Sequence, residues 1–160
     1  MHDEGDYGVF YGQTFPSTVK LIVNDNKGIT KVFDNIMYDS QSLQYDPFLK
    51  NYQNDFLDTW ERIRIYNDHQ NTDFQTIAQN AGLKRKERTW QLQVPRNRVL
   101  YTANASPNIF SVTELSSPNN KTFGERLRDK YIAVDLEYNN FNNRLLSCNN
   151  VVTKYRQSPR

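Results

Sequence analysis

The chain has 160 residues, a net charge of +2 and a single cysteine, which suits one domain with one hydrophobic core. One cysteine excludes an intrachain disulfide and a zinc site built from several cysteines. The small positive charge does not by itself indicate nucleic-acid binding, because a phosphate-binding face needs clustered cations. We find no signal-peptide pattern and no apolar run near the ~20 residues of a membrane-spanning helix. We therefore expect a soluble intracellular product without a membrane segment.

The first 16 residues are acidic and then rich in glycine and aromatic residues, including Tyr7, Phe10 and Tyr11. We predict an irregular N-terminal arm at 1–16 and a single β-rich domain at 17–160. The aromatic side chains of the arm contact either the body of the domain or a partner, and the sequence leaves both readings open.

Alternating apolar and polar residues predict a strand at 17–23, followed by a polar turn at 24–28 and a returning strand at 29–38. The polar stretch 39–56 predicts a loop, in which Pro47 prevents regular strand pairing.

The middle of the chain is more ambiguous. Residues 57–66 fit a helix or a strand, and the Ile-Arg-Ile-Tyr sequence at 63–66 favours the strand. A long loop with one helical turn near 76–81 is expected next. A strand at 83–94 then follows, with Trp90, Leu92 and Val94 on one face.

The last third predicts a long loop at 102–121, a helical turn at 123–129 and an antiparallel hairpin to the end. In the first hairpin strand one face carries alternating apolar residues: Ile132, Val134, Leu136 and Tyr138. The turn consists of four asparagines around Phe141, and 145–155 runs back with Cys148 as a small apolar filler. The fold class is therefore mainly β, an antiparallel β-sandwich or small barrel with long polar loops and little helix.

The sequence carries no recognisable catalytic constellation. His2 and His69 are the only histidines, and the neighbours of His69, Asp68 and Asp73, match no metal-ligand spacing. We predict no catalytic residues, no metal, no cofactor and no enzymatic activity.

A basic run at 84–88, followed by Trp90, Arg96 and Arg98, is the best nucleic-acid candidate, since single strands bind cations next to aromatic rings. Strand alternation divides these charges between two faces and Glu87 interrupts them. Nucleic-acid binding is therefore not favoured.

Two stretches of the chain are familiar together: GVFYGQTFPSTVKLIVNDNKGITKVFDNIMYDS at 8–40 and FGERLRDKYIAVDLEYNN, continuing to VVTKYRQSPR, at 123–160. They cover about half of the chain. This pair resembles the C-terminal part of the muzzle, or stabilisation, tail protein of crAss-like bacteriophages. Proteins of that family are much larger, so the resemblance implies a fragment, a processed C-terminal product or a shortened relative.

The resemblance implies a virion structural protein of a short tail, made in the host cytoplasm and acting by assembly. Its partners would be other copies of itself and neighbouring tail proteins, with the N-terminal part of the same precursor as a further candidate. The candidate contact residues are aromatic or arginine: Tyr7, Phe10, Tyr11, Trp60, Trp90, Arg96 and Arg98. For both tryptophans, core packing is the alternative. Two other hypotheses stay open: a carbohydrate- or nucleic-acid-binding β module for host attachment, and a hydrolase of cell-surface polymers.

Overall fold

The structure is a computed structural model that describes residues 6–98 and 124–158. Its strands are β1 (Val9–Phe10), β2 (Gln13–Thr14), β3 (Ser17–Val23), β4 (Lys31–Asp46), β5 (Asn51–Asn54), β6 (Arg62–Tyr66), β7 (Gln75–Thr76), β8 (Lys84–Lys86), β9 (Thr89–Gln93), β10 (Arg128–Asp129), β11 (Ile132–Tyr138) and β12 (Leu145–Gln157). Within these two described ranges, the only helical element is a 3-10 turn at Ile77–Gln79. The mainly-β prediction with little helix is confirmed. No helix in the described ranges is long and apolar enough to cross a membrane.

The strands form two larger sheets, and every pairing is antiparallel. The long strand β4 is the centre of a six-stranded sheet, where it pairs with β5, β9, β10 and β12, while β8 lies beyond β9. The second sheet has four strands in the order β3-β11-β6-β7. Among the described residues, the short strands β1 and β2 pair only with each other.

One hydrophobic core lies between the two larger sheets. It collects buried side chains from both, namely Phe33, Ile36, Tyr38, Trp90 and Leu92 from the six-stranded sheet and Ile63, Ile65, Ile132, Val134, Leu136 and Tyr138 from the four-stranded sheet. Successive side chains of a strand point to opposite faces, so each sheet has one apolar face to bury. Burying one such side chain contributes about 1.5–3 kcal/mol, and the shared core therefore joins the two sheets.

The predicted C-terminal hairpin is wrong in its pairing. β11 lies between β3 and β6, whereas β12 pairs with β4 in the other sheet. β11 is the inner strand between β3 and β6, and it is buried on both faces, including Ala133 and Asp135. The Asn-rich segment is therefore a corner between sheets. The prediction that asparagines here adopt the left-handed backbone conformation is right, because Asn140 and Asn143 have φ of 54° and 51°.

The expected hairpin at 17–38 is also wrong. β3 pairs with β11, and β4 belongs to the other sheet. β4 moreover continues to Asp46, through residues predicted as a loop. Two of its serines here have partners inside the domain, because the Ser40 hydroxyl lies 3.2 Å from the Thr59 hydroxyl and Ser42 donates to Asp58 Oδ2 at 2.5 Å. Pro47 follows the last residue of the strand, as its missing N–H requires.

Other predicted elements agree with the structure in part. The strand predicted in 57–66 is β6 at its C-terminal half, and the 3-10 turn at Ile77–Gln79 lies within the predicted helical turn. The single strand predicted at 83–94 is wrong, because a turn with Glu87 at φ 58° divides it into the hairpin of β8 and β9. As predicted, its apolar residues are buried: Trp90, Leu92 and Val94.

The predicted helical turn at 123–129 is wrong for the residues described, 124–129. This segment is extended and ends in β10. Leu127 is buried and its carbonyl accepts a hydrogen bond from Phe33 N–H at 3.1 Å. This carbonyl is therefore bonded to the six-stranded sheet and not to an N–H group of a helical turn. The predicted loop at 102–121 lies outside the described residues.

Candidate partner-contact surface

The N-terminal arm contains a short hairpin with an exposed aromatic tip. β1 and β2 are joined by Tyr11 and Gly12, whose φ angles are 51° and 76°. Positive φ at both central residues is the pattern of the tightest hairpin turns. The arm predicted as irregular is thus regular at its tip, where the side chain of Tyr11 is fully exposed.

Asparagines of the corner between β11 and β12 hold the base of this hairpin. The Tyr7 N–H donates to Asn143 Oδ1 at 2.7 Å, and Asn143 Nδ2 donates to Asp6 Oδ1 at 2.6 Å. Asn140 Nδ2 donates to the Tyr7 carbonyl at 3.2 Å. The Tyr7 and Tyr52 hydroxyls are 3.0 Å apart, and this hydrogen bond, with some burial, raises the pKa of Tyr7. The backbone of the arm is therefore tied to the body of the domain.

The turn between β4 and β5 presents a second group of apolar side chains. Asp46 Oδ1 accepts hydrogen bonds from the N–H groups of Phe48 (2.8 Å) and Leu49 (3.1 Å), which fixes the turn. Phe48 and Leu49 are 95% and 61% exposed. Below them Tyr45 and Tyr52 pair across the strands with ring centroids 5.4 Å apart.

A third group surrounds the corner between β11 and β12. Phe141 is exposed at this corner. The next arginine, Arg144, forms an ion pair with Asp55 Oδ2 at 3.0 Å, which ties the corner to the segment carrying the exposed side chains of Phe56 and Leu57.

We call the surface formed by these three groups the aromatic end. It comprises Tyr7, Phe10, Tyr11, Phe15, Tyr45, Phe48, Leu49, Tyr52, Phe56, Leu57 and Phe141. These are eleven of the fourteen exposed large hydrophobic side chains found in the described part of the chain, so exposure is concentrated there. Because aromatic residues are enriched at the centres of protein interfaces, this surface is the candidate contact surface of the chain.

Both predicted tryptophan contact residues are part of the core. Trp60 and Trp90 are 5% and 7% exposed. The Trp60 ring packs edge-on against Tyr138 at 6.3 Å, and Trp90 is paired with Tyr38 on the inner face of the six-stranded sheet. The structure thus favours the core-packing alternative for both, and neither side chain projects from the surface.

The structure separates the predicted arginines from the aromatic end. Arg96 and Arg98 are exposed, and Arg98 N–H donates to the Asn71 carbonyl at 2.9 Å. Both arginines follow β9 in the chain. The residue after β9, Val94, donates its N–H to the Asp34 carbonyl, which places this segment near the start of β4. The aromatic end contains the opposite end of β4.

The basic run is divided between two faces of the β8–β9 hairpin. Arg85 is paired with Trp90, and its guanidinium lies 5.1 Å from the Phe56 ring centroid and 5.3 Å from that of Trp90. Lys84 and Lys86 alternate with Arg85 along the strand and point to the other face. The hairpin therefore presents no continuous cationic surface.

The acidic neighbour of His69 has a structural partner. The Tyr131 hydroxyl donates to Asp68 Oδ1 at 2.6 Å, and this bond raises the pKa of Tyr131 to about 12. Across residues 6–98 and 124–158, no three side chains of the metal-ligating types come together.

Sequence reasoning missed the turn between β4 and β5, because its polar neighbours suggested a loop. The signal was present, since Asp46-Pro47 is a turn-initiating dipeptide and Tyr45 and Tyr52 flank it symmetrically. Tyrosines placed at equal distances on the two sides of this turn indicate a hairpin of β4 and β5.

Comparison with known proteins gives two matches. Residues 5–97 match the family described as the Crassvirus muzzle protein C-terminal domain. The chain is also 27% identical over 93 residues to a protein named "Muzzle protein" of Bacteroides phage crAss001. That alignment covers 58% of this chain and 6% of the phage protein, so the chain spans a small part of the relative that it matches. The family match contains the first stretch of the resemblance, 8–40, whereas 123–160 lies outside the matched residues.

Proposed function

The chain belongs to the family of the Crassvirus muzzle protein C-terminal domain, and from this premise we propose that it is a structural protein of a phage tail. It acts by assembly and not by catalysis, and its place is the virion after synthesis in the host cytoplasm. Residues 1–16 serve as a contact arm and 17–160 as the domain that carries it.

The aromatic end is the observation that supports this proposal. An aromatic side chain buries about 150–250 Å² when a partner covers it. The eleven exposed side chains of this surface can therefore supply roughly the 800 Å² per partner that stable interfaces use. The partners are other copies of the chain, neighbouring tail proteins and the N-terminal part of a common precursor.

The test uses phage that carry substitutions in the aromatic end. Phe48→Ser with Leu49→Ser removes the two prominent apolar side chains of the β4–β5 turn. Lys130→Ser with Lys154→Ser is a matched control at the opposite end of β4, where Lys130 follows β10 and Lys154 pairs with Asn35. Quantitative mass spectrometry of purified particles measures how much of the chain each phage retains. We expect the control to retain the chain and the aromatic-end variant to lose most of it.

Two results would contradict the proposal. Absence of the chain from wild-type particles would refute its assignment as a tail protein. Equal retention of the chain in both variants would refute the aromatic end as the contact surface.

A further inference from the structure

An apolar groove of about 430 Å³ lies on the side of the domain where β3 and β12 face each other. Its walls include Val19 and Val23 from β3 and Leu146 and Val151 from β12, and Trp60 lines it as well. These four aliphatic side chains are half-buried and pack against the core. The groove is thus a gap over the core, lined by its outermost side chains.

Strand order explains why the groove is open. In the part of the chain that the structure describes, β3 pairs only with β11 and β12 pairs only with β4. Each is therefore an edge strand of its own sheet, and the sheets do not join on this side. An apolar gap between two edges is a site where proteins bind a segment of another polypeptide.

The arm hairpin has the shape and chemistry to fill such a gap. Phe10 and Phe15 lie with ring centroids 6.2 Å apart, and Tyr11 projects at the tip between them in sequence. A cavity of about 150 Å³ holds one benzene ring, so a groove of about 430 Å³ has room for about three rings. The arm hairpin carries three aromatic rings, those of Phe10, Tyr11 and Phe15.

The hairpin does not fill the groove of its own chain. Asn140 and Asn143 hold the base of the arm, while Tyr11 is fully exposed and the groove of the same molecule is open. One chain thus carries a projecting apolar group and a separate apolar groove. We propose that the arm hairpin of one copy inserts into the β3–β12 groove of a second copy, an inference that rests on the proposed role in assembly.

This contact joins two different surfaces of the chain, so it repeats from copy to copy and closes into a ring when the rotation permits. The three arm rings expose the equivalent of about two whole side chains, or roughly 300–500 Å². A single contact is then about half of a standard interface. In a ring each copy makes two contacts, one through its arm and one through its groove, so the ring is stable where a dimer is weak.

Complementary variants test the contact in solution. Tyr11→Asn with Phe10→Thr removes the arm rings, and asparagine suits the positive φ at position 11. Asn149→Trp blocks the groove from an exposed position at the β12 bulge, where it lines the groove. Sedimentation velocity at increasing concentration should show that wild type assembles into closed oligomers and that each variant alone stays monomeric. At the highest concentrations, where a single weak contact is populated, a mixture of the two should form a one-to-one dimer that grows no further, because it contains one intact arm and one intact groove.

Lys86→Trp on the distant strand β8 is the matched control, and it should assemble like wild type. Assembly of either contact variant alone, or a mixture that stays monomeric, would overturn the inference. Normal self-association of Asn149→Trp combined with its loss from particles would also overturn it, because the groove would then bind a different tail protein.

The single native cysteine supplies a second test, since Cys148 lines the groove. In a Tyr11→Cys variant, oxidation with copper phenanthroline should link position 11 of one copy to Cys148 of another and give dimers and higher species on a non-reducing gel. Lys86→Cys should not crosslink, and adding Cys148→Ser should abolish the links. A link formed within one chain, or none at all, would refute the second copy as the occupant of the groove.

Failure of this inference can be distinguished from failure of the proposed function. A chain present in particles but without arm–groove links keeps its role in the tail and loses the self-contact. A chain absent from particles that still forms the links keeps the self-contact and loses the role in the tail.

Discussion

Substitution of Asn140 should destabilise both the β11–β12 corner and the base of the arm. Its side chain makes three hydrogen bonds: Oδ1 accepts from Arg144 N–H at 2.6 Å, and Nδ2 donates to the carbonyls of Arg144 (2.9 Å) and Tyr7 (3.2 Å). Each bond contributes about 0.5–1.5 kcal/mol net. Asn140 is buried and has φ 54°, so its backbone conformation also disfavours most other residues.

Two substitutions separate these contributions. Asn140→Gly keeps the left-handed backbone and loses the hydrogen bonds, which should lower the free energy of unfolding by about 2–3 kcal/mol. Asn140→Ala loses the same bonds and adds strain at positive φ, so it should cost about 1 kcal/mol more than glycine. Urea denaturation followed by tryptophan fluorescence measures both, because Trp60 and Trp90 are in the core.

The relative stability of the two variants tests both contributions. An alanine variant as stable as the glycine variant would show that the left-handed conformation does not constrain this position. A loss below about 0.5 kcal/mol in both would show that the three side-chain bonds contribute little to the folded state.

Two other predictions concern charge. Arg64→Ala should cost about 3–5 kcal/mol of stability, because it removes the guanidinium that donates hydrogen bonds to the buried carboxylate of Asp135. Arg62→Ala breaks a pair whose arginine is 44% exposed and should cost under 1 kcal/mol; equal losses in urea denaturation would contradict the difference in burial. The pKa of Tyr131 is raised to about 12 by its hydrogen bond to Asp68, so above pH 10 the unfolded chain loses this proton while the folded chain keeps it. Stability should therefore fall as pH rises from about 10 to 12, and Tyr131→Phe should make the fall shallower; an unchanged slope would refute the contribution of this bond.

The strands of this protein could be predicted from its sequence, but their partners could not. The alternation in β11 and β12 marks two strands, and the asparagines between them mark a tight change of direction. A hairpin turn and a corner between two sheets have the same local pattern, because both require left-handed residues between extended segments. The partner of β11 is set by contacts with β3 and β6, far away in sequence.

The same limit applies to the contact surface. The glycines and aromatics of the arm predict an exposed group, and Tyr7, Phe10 and Tyr11 are exposed in the structure. Phe48 and Leu49 were missed because they lie between polar residues. Their exposure results from the length of β4, which no local pattern defines, since its polar residues Ser40 and Ser42 are satisfied only by distant side chains.

The central claim, that the chain assembles in the tail through its aromatic end, is tested most directly by lysine footprinting of intact particles. Lys50 is exposed at the β4–β5 turn beside Phe48 and Leu49, whereas Lys130 and Lys154 are exposed at the opposite end of β4. We expect acylation of Lys50 to be several-fold slower in particles than in the isolated chain, with Lys130 and Lys154 unchanged. Equal labelling of Lys50 in both states, or protection of Lys130 and Lys154 instead, would contradict the claim.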